Sequence, residues 1–379
     1  MSYLPSTREQ QLSQLIGCTI EQLDISTPDF LAAKQRYDDL GAHLADQGAY
    51  IYVQGSTALG TVISPYGRWG EYDLDLVCLV DVRKTSITQA ALKDRVGGFL
   101  DDYIDQATGD DVPKSVEDGR RAWTLHYDRF HMDVLPAILD LEVVSPTAIE
   151  LTDKKLRHWQ KSDPQAYVAW FRERCAQQFL AERKEMAAGG SVEDVPLWRV
   201  RTPLHRTVQV LKRHRDLAFA LDPDNKPPSS LITTLAARAY GGETDLLAAL
   251  LAVVHRMPDH IHKVNGVEWV ENPVCAGENF ADKWREYPER RKAFAQWHAA
   301  VTRDLQELVG ERGGQLAVHE RLGHWLGADQ VRAAAGGIAG QTRGIREKGK
   351  LAATTSGLLT TGAGTPTRDH VFFGGPASA

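Results

Sequence analysis

The sequence predicts an α+β protein: a mixed α/β segment built on a small sheet, followed by a largely helical half. Two observations carry that expectation. Short aromatic and β-branched runs bounded by glycine are confined to the first 150 residues, and from Asp153 onward nearly every segment has helical spacing. The boundaries read as residues 1–150 for the sheet-containing region with its long N-terminal helix, 151–326 for the helical region, and 327–379 for a flexible tail.

Residues 26–46 open with Ser-Thr-Pro and space Phe30, Leu31, Tyr37, Leu40 and Leu44 as one helix face. AYIYVQG (49–55) then reads as a strand stopped by Gly55-Ser56, and Tyr72 to Asp81 as a second. Residues 88–106 read as a helix, and WTLHY (123–127) with RFHMDVLPAIL (129–139) as two more strands. The helical half follows, punctuated by Gly189-Gly190, Asp222-Pro223 and Pro227-Pro228. After Leu326 the Ala, Gly and Thr-rich sequence is expected to bury little and to be mobile.

The 379 residues hold 44 basic and 50 acidic side chains, a net charge of -6 that argues against a protein devoted to gripping a long phosphate backbone. Cys18, Cys78, Cys175 and Cys275 lie far apart without metal-ligand spacing, so reduced thiols are expected rather than a disulfide frame or a zinc site. The N-terminus lacks the pattern of a signal peptide, and no apolar run is long enough to span a bilayer, so a cytoplasmic location is expected.

Chemistry concentrates at three aspartates. Alternation along a strand puts Asp73 and Asp75 on one face of YDLDLVCLV, where two anions side by side repel unless a cation lies between them. Asp133 stands alone among apolar residues in FHMDVLPAI; a strand beside the first would bring three carboxylates together. Such a set can hold two Mg²⁺ ions about 3.5–4 Å apart, with Mn²⁺ as an alternative. Asp133 is then the natural general base. Gly55 lets the backbone approach a phosphate closely, and the Ser56 hydroxyl and following N–H groups can bind its oxygens. Asp222-Pro-Asp224, in a proline-rich turn, reads as solvated loop.

QGSTALGTVISP, EYDLDLVCLVD and FHMDVLPAI, with TDKKLRHWQKSDPQAYVAWF, TPLHRTVQVLKRHRD, KPPSSLITTLAARAY and NPVCAGENFADKW, resemble the DNA polymerase β-like nucleotidyltransferases. The resemblance is closer to the bacterial relatives of cyclic GMP-AMP synthase that make cyclic oligonucleotide messengers in anti-phage operons, and it covers roughly residues 20–325. It implies a bilobed enzyme with a nucleotide cleft between an α/β catalytic lobe and a helical lobe. It also implies that Asp73, Asp75 and Asp133 bind metal, and that Gly55, Ser56, Lys212 and Ser229 bind nucleotide, with Ser230 in place of Ser229 if the match slips by one. The implied substrates are NTPs, ATP or GTP among them, with neither a membrane nor a stable nucleic-acid partner.

Among the neighbours of these residues, His131 is expected to be satisfied by a backbone group, and most of Arg206, Arg213 and Arg215 to be solvated. Tyr240, Trp159, Trp170, Trp198, Trp284 and Trp297 are expected to pack helices. The ending DHVFFGGPASA resembles the C-termini of family members conjugated to other proteins by ubiquitin-like machinery.

Overall fold

The structure is a computed structural model and describes residues 4–5, 7–65, 72–107, 112–128, 130–154, 158–189, 200–355 and 359–367. The first elements are α1 (Arg8–Glu21), α2 (Thr27–Asp46), β1 (Ala49–Val53), α3 (Gly55–Leu59), β2 (Tyr72–Val80) and α4 (Gln89–Gln106). Then come β3 (Ser115–Asp118), β4 (Trp123–His126), β5 (Phe130–Leu139), β6 (Ile149–Leu151) and β7 (Gln160–Ser162). The helical half holds α5 (Pro164–Arg174), α6 (Ala176–Gly189), α7 (Pro203–Ala218), α8 (Ser229–Ala239) and α9 (Leu246–Arg256). The hairpin β8 (His262–Val264) and β9 (Val267–Trp269) precedes α10 (Lys283–Glu286), α11 (Pro288–Gly310), α12 (Gly314–Leu326) and α13 (Ala328–Glu347).

The α+β expectation holds. Seven strands form one mixed sheet in the order β1-β2-β5-β4-β3, with β6 and β7 continuing from the far end of β5. Only β2 and β5 run parallel; the other pairs are antiparallel. Leu74, Leu76 and Cys78 face the same side as Met132 and Val134, and this face is covered by Leu40 and Leu44 of α2 and Leu92, Val96 and Leu100 of α4. The opposite face buries Val77, Leu135 and Ala137 at one end and carries Asp73, Asp75 and Asp133 at the other. Both helices are capped as their sequences demand, by Ser26 with Pro28 in the first turn and by Thr88.

Two expectations of domain organisation differ from the structure. Helix α1 packs Leu12, Leu15, Ile16 and Ile20 into the core of the helical half, so α1 belongs to that half, and the chain then crosses to the sheet and returns at α5. The stretch after Leu326, expected to be mobile, contains the 20-residue helix α13, which buries Val331 and Ala334 against α12 and α1. Alanine is the strongest helix former, and Val331, Ala334 and Ile338 fall on one helix face, so a composition that looks featureless still supplies a packing stripe. The ending DHVFFGGPASA lies outside the described residues.

Helix α7 departs furthest from expectation. Lys212, Arg213, His214 and Arg215 are consecutive and all buried, whereas most of the arginines were expected to face water. Burial of four such groups is tolerable because each meets an acceptor. Lys212 Nζ donates to Thr61 O at 2.9 Å, Arg213 Nη2 to Ser64 O at 3.0 Å, and Arg215 Nη1 to Pro227 O at 3.1 Å. His214 Nε2 lies 3.1 Å from Asp304 Oδ2, while its Nδ1 accepts from Trp297 Nε1 at 3.1 Å. Gln209 Nε2 donates to Val62 O at 2.8 Å, and Arg206 Nη1 donates to both Asp24 carboxylate oxygens at 2.8 Å. One helix therefore holds the backbone of residues 61–64 against the helical lobe.

Tyr240, Trp284 and Trp297 are buried in the helical core, and Trp170 packs against it, as expected; Trp159 instead packs against the sheet core. Trp198 lies outside the described residues. All four cysteines are free thiols. No helix among the described residues is long and apolar enough to cross a membrane.

Candidate active site

The pairing of β2 with β5 sets Asp73 opposite His131 and Asp75 opposite Asp133. Residues opposite one another in a parallel pair project to the same side, so all three aspartates rise from one face. Antiparallel β4 adds Thr124 opposite Asp133, and its Oγ1 donates a 2.6 Å hydrogen bond to Asp133 Oδ1.

Gly55 is fixed by its neighbour. The strand ladder extends one step past β1 through Gln54 N to Asp75 O at 2.8 Å, and the chain then turns through Gly55 at φ +60°. A Cβ at that position would lie 2.1 Å from Asp75 Oδ2, so only glycine lets the turn sit against the carboxylate. Ser56 follows directly in α3.

The electrostatics fit a cation site. Burial, then the charges of Asp133 and Asp73, push the Asp75 carboxyl up to about 6, against weaker opposing pulls from Lys212 and His131. Burial also raises Asp73, opposed first by His131, whose Nε2 lies 3.1 Å from Asp73 Oδ1. His131, expected to meet a backbone group, has the Asp73 carboxylate as a partner. No hydrogen bond or ion pair satisfies the Asp75 side chain among the described residues, and an all-oxygen donor set suits Mg²⁺ or Mn²⁺.

Asp140, Glu142 and Glu150 form a tighter acidic group, with oxygens within 4.8 Å of one another. That group is already neutralised: Lys84 lies 2.6 Å from Glu150 and 3.3 Å from Glu142, and Lys161 lies 3.0 Å from Asp140 and 3.2 Å from Glu142. It braces the β6–β7 end of the sheet.

A cavity of about 770 Å³ opens over the aspartates, and Gly55, Ser56, Asp73, Asp75, Lys212 and Ser229 all line it. Asp133 is brought beside Asp75 but lies just outside that lining. Ser230 lines the cavity as well as Ser229. Burial, then Arg215, depress Lys212 to about 8, while Asp216, Asp75 and Asp73 pull it back up. Arg215, which also lines the cavity, donates to Ser229 Oγ at 2.9 Å and to Asp216 Oδ1 at 2.7 Å. The Asp222-Pro-Asp224 turn is exposed. Sequence reasoning missed Arg215, Thr124 and the cavity-lining residues Tyr167, Glu278 and Phe280. The charge run around Arg215 looked like a solvated face, and the other residues come from segments far apart in the chain.

Residues 18–175 match the family model described as the Second Messenger Oligonucleotide or Dinucleotide Synthetase domain. The chain is 26% identical over 320 residues to a c-di-GMP synthase of Roseivirga ehrenbergii, covering 82% of this chain and 83% of that one. The chain is similar to the bacterial cGAS/DncV-like nucleotidyltransferases. A second relative is the cyclic dinucleotide synthase CdnG of Bradyrhizobium diazoefficiens, 27% identical over 344 residues, 80% of this chain and 77% of that one. The fold of that CdnG in its complex with GTP superposes with a TM-score of 0.69 at 22% identity, covering 87% of this chain and 99% of the other.

Proposed function

We propose that this nucleotidyltransferase joins two or three nucleoside triphosphates through phosphodiester bonds and closes the product into a ring, a cyclic dinucleotide being the product its named relatives favour. The observation that carries the reading is the register of β2 and β5, which sets Asp75 and Asp133 side by side on the sheet face that Gly55-Ser56 and Lys212 border.

Asp133 is assigned the proton of the attacking ribose hydroxyl, with Thr124 holding its carboxylate in place. The ribose oxygen bonds to the α-phosphorus, the bond to the β-phosphate oxygen breaks, and pyrophosphate leaves; a second such step closes the ring. Magnesium held by Asp73, Asp75 and Asp133 would supply charge neutralisation at the transferring phosphoryl. Lys212 is mostly protonated at neutral pH and offers its ammonium to the triphosphate once it lets go of Thr61 O, while Ser56 and Ser229 offer hydroxyls. The same reading places the enzyme in the cytoplasm as the messenger-producing part of an anti-phage system, with its C-terminus as a site for conjugation.

The test is incubation of the full chain with Mg²⁺ and all four NTPs, then phosphatase treatment and mass spectrometry. A phosphatase-resistant cyclic product is expected. Label transferred to RNA or protein would replace this reading with a polymer-modifying transferase. Full biological effect from a D73A/D75A variant would replace it with a non-catalytic nucleotide sensor.

A further inference from the structure

The phosphate-binding end of the cavity is marked by Lys212 and by Ser229 and Ser230, at the start of α8. Following α8, Thr233 lines the cavity one turn further on, about 5.4 Å along the axis. The adjacent Thr234 Oγ1 lies 2.7 Å from Tyr167 Oη, and the Tyr167 ring meets the Phe280 ring edge-on with centroids 6.1 Å apart. Tyr167, Phe280 and Glu278 line the same cavity, and the Thr234 and Phe280 contacts of Tyr167 set this group beside α8 past its first turn, so an aromatic wall and one carboxylate are available to the base of a nucleotide anchored by its phosphates.

Glu278 is braced in this position. Its Oε2 accepts from Asn272 Nδ2 at 2.7 Å, and Asn272 Oδ1 is fixed by Val274 N at 3.0 Å. Asn272 N donates to Glu278 O at 2.9 Å, closing the loop between the two residues. Glu278 Oε1 accepts no hydrogen bond among the described residues. Burial raises the carboxyl, while the Asn272 bond and Arg121 pull it down.

We propose that Glu278 selects guanine as the base of the bound triphosphate, an inference that rests on the reading of this cavity as the nucleotide site. Guanine presents two adjacent donors, N1–H and the 2-amino group, which match the two oxygens of a carboxylate. Adenine presents an unprotonated N1 there and no 2-amino group, so it sets lone pair against lone pair. Hypoxanthine keeps N1–H and loses the amine. A charge-assisted bidentate pair of this kind discriminates by about 10- to 100-fold.

The experiment is competition among GTP, ITP and ATP with the full chain, read by mass spectrometry of products and by calorimetric binding of non-hydrolysable GTP and ATP analogues. The wild type should favour GTP over ITP and ITP over ATP. The E278Q variant, whose amide can accept from the adenine 6-amino group and donate to N1, should shift toward ATP by at least 10-fold. An unchanged GTP to ATP ratio in a folded E278Q would make Glu278 a loop brace and overturn the proposal. If E278Q does not fold, equal use of GTP and ITP by the wild type overturns it instead. If no phosphodiester product forms with any NTP, the synthase reading fails while analogue binding still decides the base preference. Selective GTP-analogue binding that E278Q abolishes then supports the proposal, and indifference refutes it.

Discussion

Asp75 and Asp133 are register partners on the two parallel strands of the sheet, and the Asp75 side chain abuts Gly55 at the turn out of β1. The two acids are 58 positions apart in sequence, and the charge of Asp133 makes Asp75 harder to ionise.

The first consequence is a stability–function conflict at Asp75. Its carboxyl titrates at about 6 in the folded protein against 3.8 ordinarily. The folded state therefore holds its proton to higher pH, stability falls as pH rises from about 4 to 6, and the penalty is complete above that window. The shift corresponds to an order of 3 kcal/mol as an upper figure. Asp75→Asn should be inactive yet melt several degrees above the wild type at pH 7.5 in EDTA, with the gain vanishing near pH 4. Melting curves across that range check it; equal melting temperatures at pH 7.5 would contradict it.

Metal affinity should follow the same titration. A cation and a proton compete for the Asp75 carboxylate, so Mn²⁺ affinity should be flat above pH 6 and fall by about tenfold per unit below it. Electron paramagnetic resonance titration of Mn²⁺ measures this directly.

Lys212 predicts the opposite edge. With its ammonium titrating at about 8, triphosphate affinity should fall as pH rises through 8 to 9. In the free protein the depressed value means stability rises with pH between about 8 and 10.5. Lys212→Met should lose at least tenfold in binding of a non-hydrolysable GTP analogue and lose its pH dependence, without a lower melting temperature at pH 7. Unaltered analogue binding would remove Lys212 from the triphosphate site.

Gly55→Ala should fail structurally as well as catalytically. The left-handed turn costs an alanine about 1–2 kcal/mol, and its Cβ would collide with Asp75 Oδ2. A lower melting temperature with product formation reduced below a tenth is expected; a variant with wild-type turnover would show the turn to be unimportant.

Thr124→Val should lower kcat by about 10- to 100-fold through the lost hydrogen bond to Asp133 while leaving KM nearly unchanged. Thr124→Ser should restore most of the rate, which a purely packing role for Thr124 would not explain.

The sequence by itself determined the strands β1, β2, β4 and β5, the glycine turn and which faces of β2 and β5 carry acids, because alternation and turn chemistry are local properties of the chain; the short strands β3, β6 and β7 it did not mark. It also marked Lys212, though only by likeness to a family. The partners of α7 were out of reach: the run Lys212–Arg215 looks solvated until the carbonyls of Thr61, Ser64 and Pro227 meet it from other segments. So were the joining of α1 to the helical lobe, the folding of α13 and the setting of Glu278 in the lining of the cavity. Each depends on which surfaces meet, and burial of a charge is decided by acceptors that only long-range packing brings within hydrogen-bond reach.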